Sequence, residues 1–198
     1  DQSGAVKLIP FPGNSVVAPA FTKGNLLAVC MAKGGDTDIY QLNGAFQVQR
    51  ALVESSGIDV SPSFDNSGQR MAFTSDRGGN PQIYLLDGGS VSRVTYEGSY
   101  NTAPSISPDG TKIVFARQSP GGHRIFLHDL GTGQELQLTQ GPGSDEQPSF
   151  SPDGYFVVFS STRDGGRKIY LTTRRGDPAK PVPTRGGEDS APAWGPEP

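Results

Sequence analysis

Short apolar segments separated by turn residues recur along the whole chain. Met71–Phe73 is followed, ten residues after Phe73, by Ile83–Leu85, and the Gly78-Gly79 pair lies between the two segments. The same ten-residue spacing begins at three other positions, Val29, Phe115 and Phe159. Such short apolar segments, bounded by glycine-rich turns, predict strands joined by tight hairpins and argue against long helices.

A proline and a turn motif open each of these units. The best copy runs from Gln147 to Gly154 and reads Gln-Pro-Ser-Phe-Ser-Pro-Asp-Gly. The Asp-Gly pair supplies the positive φ that a tight hairpin requires. We place the proline where a strand begins, a position that tolerates the missing N–H group. The anchoring prolines are spaced by 43, 42, 44 and 44 residues and are Pro19, Pro62, Pro104, Pro148 and Pro192.

Each unit closes with a further short apolar segment, so that it holds four strands in about 43 residues, the period of a propeller blade. We therefore predict an all-β fold, a β-propeller of four-stranded blades in one domain over 1–198. The complete repeats are 17–58, 59–100, 101–144 and 145–188. Residues 1–16 add a lone outer strand (Val6–Ile9) and residues 189–198 a lone inner strand, which is typical of part of a larger ring.

Composition narrows the range of partners. The formal net charge is -3 and no run of Lys or Arg occurs, so nucleic acid is not an expected partner. No apolar stretch approaches the ~20 residues that span a bilayer, so direct membrane insertion is not expected either. The single cysteine, Cys30, excludes an intramolecular disulfide.

The motifs of common enzymes and metal sites are missing from the sequence. There is no Gly-x-Ser-x-Gly, no His-Glu-x-x-His and no P-loop. Cys30 occupies a repeat position held elsewhere by small residues, so we interpret it as a packed side chain. Asp36–Asp38 and Asp65–Gly68 do not continue into a calcium loop and are interpreted as turns. We expect no catalytic residue, no metal site and no cofactor.

The repeats resemble those of the TolB family. The match is carried by the Pro-Ser-Phe-Ser-Pro-Asp-Gly turns and is sharpest over 73–84 and 93–101, with 192–196 similar to that family's closing strand. The resemblance implies a periplasmic protein of the Tol-Pal envelope system. It also implies a six-bladed propeller behind an α/β domain, with one face that binds a peptidoglycan-associated lipoprotein. The four repeats of this sequence would supply four of those six blades.

Function is expected on the face that collects the inter-blade loops and the hairpins between second and third strands, because binding residues concentrate in loops held by a rigid scaffold. This face carries both signs of charge, which suits a polar protein partner. Solvated loops without a partner are the alternative interpretation. The predicted face consists of Asp59, Arg77, Asn80, Glu97, Tyr100, Asn101, His123, Asp145, Glu146, Arg163, Glu188 and Asp189.

Two other functions fit the repeats. The chain could be a fragment of the gating propeller of a prolyl-oligopeptidase-type serine peptidase, in which case a hydrolase domain would follow it. Alternatively, a short array of blades could form a homodimer through open strand edges at Val6–Ile9 and Ala191–Trp194, because unpaired edges favour pairing.

Overall fold

The computed structural model describes residues 16–22, 24, 26–184 and 187–194, with Lys33 described by its backbone alone. The predicted strand Val6–Ile9 lies outside the described residues. Within them the chain forms four antiparallel sheets, each of four strands that neighbour one another in chain order. The prediction of an all-β propeller with four-stranded blades is confirmed.

Each sheet is one blade, and its strands follow one another in chain order from the inner to the outer position. The strands of blade 1 are β1 (Val16–Phe21), β2 (Leu27–Lys33), β3 (Asp36–Leu42) and β4 (Val48–Val53). Those of blade 2 are β5 (Asp59–Phe64), β6 (Arg70–Ser75), β7 (Gln82–Asp87) and β8 (Ser90–Arg93). Those of blade 3 are β9 (Asn101–Ile106), β10 (Lys112–Ser119), β11 (Gly122–Asp129) and β12 (Glu135–Gln137). Those of blade 4 are β13 (Asp145–Phe150), β14 (Phe156–Ser161), β15 (Lys168–Thr173) and β16 (Lys180–Pro181).

Apolar clusters between neighbouring blades form the core. Cys30 and Ile39 of blade 1 pack against Phe73 of blade 2, and equivalent clusters join blades 2 and 3 and blades 3 and 4. Consecutive inner strands also contact one another, from β1 through β5 and β9 to β13. Because each twisted sheet is apolar on both faces, it buries them only by stacking on its neighbours.

Four of the five repeated prolines, all but Pro192, lie inside inner strands, so the prediction that they begin a strand is wrong. Pro62 is the fourth residue of β5, and the register between β5 and β6 shifts between Val60 and Ser63. This bulge takes the proline out of the hydrogen-bond ladder, where its missing N–H would otherwise cost a bond. The residue before each proline has φ between 49° and 55°: Ala18, Ser61, Ala103, Gln147 and Ala191.

The Ser-Pro-Asp-Gly segments are turns held by their own side chains. Ser107 Oγ donates to Asp109 Oδ1 at 2.5 Å and accepts from Lys112 N at 2.9 Å. Gly110 completes the turn at φ 70°. The aspartate therefore serves the hairpin, as the sequence predicts.

A threonine side chain extends the outer edge of two blades beyond the last regular strand residue. The hydroxyl of Thr139 accepts from Ile125 N at 2.9 Å, two residues after β12 ends. Thr95 accepts from Ile83 N in the same way at 3.0 Å. In this recurring dipeptide of an apolar residue and threonine, the threonine hydroxyl thus accepts from an N–H of the third strand at the point where the backbone hydrogen bonds to the fourth strand end.

Residues 187–194 follow the path of an inner strand without forming one. Asp189 N donates to Arg167 O at 2.9 Å, as Asn101 N donates to Pro81 O at 2.9 Å. Ala191 also keeps the positive φ of the bulge. This segment pairs with no second strand among the described residues. The predicted inner strand of a fifth blade therefore follows the expected backbone path but does not form a strand.

Candidate partner-binding face

One end of the blades collects two kinds of connection, which together are called the loop face. The inter-blade loops are 54–58, 94–100 and 138–144, and the hairpins between second and third strands are 34–35, 76–81, 120–121 and 162–167. Side chains join the two sets within a blade, as Arg77 in a hairpin binds Asp59 at the end of an inter-blade loop. Ten of the twelve predicted residues lie in these connections or at the strand ends beside them, and Glu188 and Asp189 lie in the segment that follows blade 4.

Two of the predicted acidic residues are buried, and each forms an ion pair with an arginine. Asp59 accepts from Arg77 Nη2 at 2.8 and 3.0 Å through its two oxygens. In blade 4, Arg163 Nη2 donates to Asp145 Oδ1 at 2.9 Å. The aspartates are 0% exposed. These ion pairs join the first residue of an inner strand to the hairpin above it.

The arginines also cover an aromatic pair in each blade. Phe159 and Tyr170 stack with centroids 6.0 Å apart, and the Arg163 guanidinium lies 4.8 Å from the Tyr170 centroid. Arg77 covers Phe73 and Tyr84 in blade 2 in the same way. Cation–π contact of a partly desolvated guanidinium adds to the stability of the pair.

Blade 3 reaches the same arrangement from different sequence positions. Arg117, at the repeat position held by Ser75 in blade 2, places its guanidinium 4.4 Å from the Phe126 centroid. Its Nε donates to Asn101 Oδ1 at 2.8 Å and its Nη2 to Glu135 Oε2 at 2.7 Å. Glu135 supplies the carboxylate that pairs with this guanidinium. The first residue of the inner strand, an aspartate in blades 2 and 4, is in blade 3 the neutral Asn101.

The first inner-strand residues of blades 2, 3 and 4 are therefore corrected from partner contacts to internal supports. Asp59, Asn101 and Asp145 are each 0% exposed and engaged by an arginine, so a partner on the loop face does not reach them. They recur at one repeat position, three residues before the anchoring proline, and recurrence of that kind marks a structural role.

Tyr100, His123 and Glu146 come together at a cleft between blades 2, 3 and 4. The cleft has a volume of about 340 Å³ and is bordered by the bulge residues Ser61, Ala103 and Gln147, which places it along the inner strands. The Tyr100 and His123 rings lie with centroids 6.0 Å apart and tilted by 60°. The lining residues are Val60, Ser61, Thr74, Tyr100, Thr102, Ala103, Ala116, His123, Glu146 and Gln147.

Hydrogen bonds fix Glu146 at the edge of this cleft. Ser144 Oγ donates to Glu146 Oε1 at 2.7 Å and Arg167 Nη1 donates to Oε2 at 3.0 Å. Partial burial alone would raise the pKa of Glu146, but the bonds from Ser144 and Arg167 outweigh it and lower the pKa below 4.5. The cleft therefore presents a carboxylate at neutral pH.

Close backbone packing positions His123 over Ser144. Gly122 contacts the backbone of Gly143, and a Cβ on Gly143 would lie 2.7 Å from Arg163 N, so only glycine fits at these positions. The buried Arg124 ties the same loop down, with its Nη1 donating to His123 O at 2.6 Å and to Gly143 O at 2.7 Å. Blade 3 and the loop before β13 therefore form one rigid wall of the cleft.

The remaining predicted residues do not line this cleft. Asn80, Glu97 and Glu188 are exposed. Asp189 accepts from Thr184 Oγ1 at 2.7 Å. The two paired arginines, Arg77 and Arg163, remain partly exposed, with 23% and 16% of their side chains accessible.

The sequence prediction left Ser144 and Gln147 out of the face, although Gln147 lines the cleft and Ser144 binds Glu146 at its edge. Gln147 Oε1 accepts from Ala191 N at 2.8 Å and so holds the final segment beside blade 4. A signal was available for Gln147, because the residue before the repeated proline is otherwise alanine or serine.

Other chemistry is sparse in the part of the chain that the structure describes. Burial raises the pKa of the Cys30 thiol to about 11, which disfavours the reactive thiolate. No group of three or more His, Cys, Asp or Glu side chains suited to a metal ion occurs among the described residues. No described helix is long and apolar enough to cross a membrane.

The geometry defines the class of protein as a β-propeller whose blades carry a polar cleft at their loop face. A family model described as the TolB beta propeller domain matches residues 2–198. The chain belongs to the TolB β-propeller family.

Individual relatives agree with this assignment. The Tol-Pal system protein TolB of Nitratidesulfovibrio vulgaris is 49% identical over 70 residues, which are 35% of this chain and 16% of that protein. The crystal structure of TolB from Acinetobacter baumannii is 34% identical, with a TM-score of 0.79 over 89% of this chain and 45% of that one. The putative TolB from Agrobacterium tumefaciens, at 22% identity and a TM-score of 0.73, shows the same fold. The chain therefore spans less than half the length of these first two relatives.

Proposed function

We propose that this chain is a non-enzymatic, protein-binding propeller of a periplasmic Tol-Pal component, and that its loop face binds a peptidoglycan-associated lipoprotein. Family membership supports the Tol-Pal assignment, since a relative carries the name Tol-Pal system protein TolB. The single observation that carries the binding face is the cleft shared by blades 2, 3 and 4, where Tyr100, His123 and Glu146 converge.

The chemistry of the cleft supports a protein partner. Tyr100 is 39% exposed and stands on a rigid wall, and such aromatic side chains anchor protein interfaces at low entropic cost. Glu146 adds a fixed negative charge beside it. A loop of a partner protein, inserted between the blades, would meet an aromatic anchor and oriented acceptors together.

The proposed function is tested by calorimetric titration of the soluble domain of a peptidoglycan-associated lipoprotein, from the same source, into this chain. We expect saturable binding of one partner per chain. Tyr100→Ala should weaken the affinity by roughly thirtyfold or more, because a central aromatic contributes about 2 kcal/mol or more to an interface.

Tyr155→Ala is the matched control. Tyr155 packs edge-on against Phe156 in the Ser-Pro-Asp-Gly turn at the opposite end of blade 4. The control should bind as the unsubstituted chain does, with thermal unfolding verifying that both variants fold. Absence of saturable binding, or equal weakening by both substitutions, would contradict the proposal.

A further inference from the structure

His123 contacts three residues at the cleft wall, and two of them restrict where its ring protons lie. Its backbone N donates to Ser144 Oγ at 3.0 Å. Its Nδ1 lies 3.3 Å from Ser144 Oγ and 3.5 Å from Glu146 Oε1. The Tyr100 ring packs against the imidazole from the loop before β9.

The hydroxyl proton of Ser144 is used in its hydrogen bond to Glu146. Ser144 Oγ lies 2.7 Å from Glu146 Oε1, and an ionised carboxylate only accepts, so the hydroxyl proton lies between these two oxygens. Ser144 Oγ then has only acceptor capacity toward Nδ1. A lone pair on Nδ1 would face two oxygen acceptors, so neutral His123 carries its proton on Nδ1.

This tautomer leaves Nε2 as an acceptor. No hydrogen bond to Nε2 occurs within the described ranges, and His123 keeps 25% of its side chain exposed where it lines the cleft. Nε2 and the Glu146 carboxylate together make this part of the cleft rich in acceptors. The other charged groups nearby are Arg167, which binds Glu146, and Arg124, which binds the His123 carbonyl.

We propose that His123 Nε2 selects an N–H donor on the protein partner, and that binding at this cleft weakens as His123 becomes protonated. This inference rests on the proposed function. The neutral ring accepts the partner's hydrogen, whereas the imidazolium ring carries a second N–H that opposes it. The affinity therefore falls when acid protonates the ring.

The tautomer is tested without any partner. Two-bond ¹H–¹⁵N correlation spectra of the labelled chain at neutral pH report which ring nitrogen carries the proton. His128→Gln assigns the signals, because His123 and His128 are the two histidines of the chain. A protonated Nδ1 and bare Nε2 at His123 are expected, and the reverse would overturn the proposal.

The recognition step is tested by repeating the titration with the lipoprotein domain between about pH 8 and about pH 5. The unsubstituted chain should lose roughly three- to tenfold in affinity, the effect of one neutral hydrogen bond. His123→Gln, whose carboxamide oxygen accepts at every pH, should remove that dependence. His123→Phe should bind at the weaker level throughout, and His128→Gln should behave as the unsubstituted chain.

A pH-independent affinity, tighter binding in acid, or an unchanged profile in His123→Gln would overturn the inference. Absence of binding at every pH would contradict the proposed function and the recognition step together. The tautomer would still be decided by the spectra, so the two failures are distinguishable.

Discussion

The buried ion pairs show how single residues stabilise the loop face. Arg163 is the only cation within 4.0 Å of Asp145 among the described residues, and Asp145 Oδ2 is buried without a hydrogen-bond partner there. Removing one member of such a pair strands a buried charge, which costs far more than the pair contributes when it is intact. The arginine is therefore a structural requirement of the hairpin and also covers the Phe159–Tyr170 stack.

Arg163→Ala should lower the free energy of unfolding by about 3 kcal/mol, because it leaves Asp145 unpaired. Urea denaturation measures the change. Lys112→Ala is the control, since the Lys112–Asp129 pair is open to solvent and such a pair contributes far less to stability than a buried one. Equal losses in the two variants would refute the structural role assigned to Arg163.

Glu135 gives blade 3 a dependence on pH. Burial would raise the pKa of Glu135, but hydrogen bonds from His128 and Arg117 outweigh it and hold the pKa below 4.5. A carboxyl with a lowered pKa in the folded state stabilises the protein above its unfolded-state pKa. That contribution is lost as pH falls through the folded-state pKa.

The stability of the unsubstituted chain should therefore decline on acidification below pH 4.5 more steeply than that of Glu135→Gln. Urea denaturation at a series of pH values gives both curves. Glu97→Gln on the exposed loop serves as control and should keep the original slope. A slope in Glu135→Gln identical to that of the control would show that Glu135 does not contribute.

At the scale of the element, side-chain hydroxyls complete strands that the backbone leaves short. Strand β12 has only three residues, yet Leu138 N still donates to Ile125 O at 2.8 Å and Thr139 Oγ1 receives Ile125 N. Ile125 is fully buried, so its N–H would otherwise face an apolar environment. The dipeptide of an apolar residue and threonine therefore continues the pairing along the outer edge of a blade whose fourth strand is short.

Thr139→Val removes this hydroxyl while keeping the shape of the side chain. It should destabilise the chain by about 1–3 kcal/mol, the cost of a buried donor without a partner. Hydrogen exchange of the Ile125 amide should accelerate accordingly. Thr132→Val, in the exposed hairpin before β12, should leave that exchange rate unchanged, and protection of Ile125 that survives Thr139→Val would refute the assignment.

Much of the fold follows from the repeat pattern, whereas the loop face follows from it only in part. The spacing of Phe73, Phe115 and Phe159 aligns the blades and predicts the strands and turns. The pattern does not show that the prolines lie inside bulged strands, because a bulge depends on pairing with the neighbouring strand. The pattern does not show the role of Arg117 either, because an arginine at either of two positions along a blade can place its guanidinium over the aromatic pair.

At the scale of the whole molecule, four blades place their connections on two separate ends. One end holds the turns between first and second strands, in which Asp109 and Asp153 of the Ser-Pro-Asp-Gly segments and Asp65 of the Asp-Asn-Ser-Gly segment bind backbone N–H groups of their own hairpins. The loop face is irregular from blade to blade, and the cleft draws on three blades at once. Irregularity on a regular scaffold is where specific recognition is expected.

We propose that the partner binds at the cleft on the loop face. Amide chemical-shift mapping tests it most directly, by adding the soluble lipoprotein domain to the ¹⁵N-labelled chain. The largest changes should fall on Tyr100, His123 and Glu146, and the turns at Asp109 and Asp153 should be unaffected. Changes concentrated on those turns, or no change at a saturating partner concentration, would contradict it.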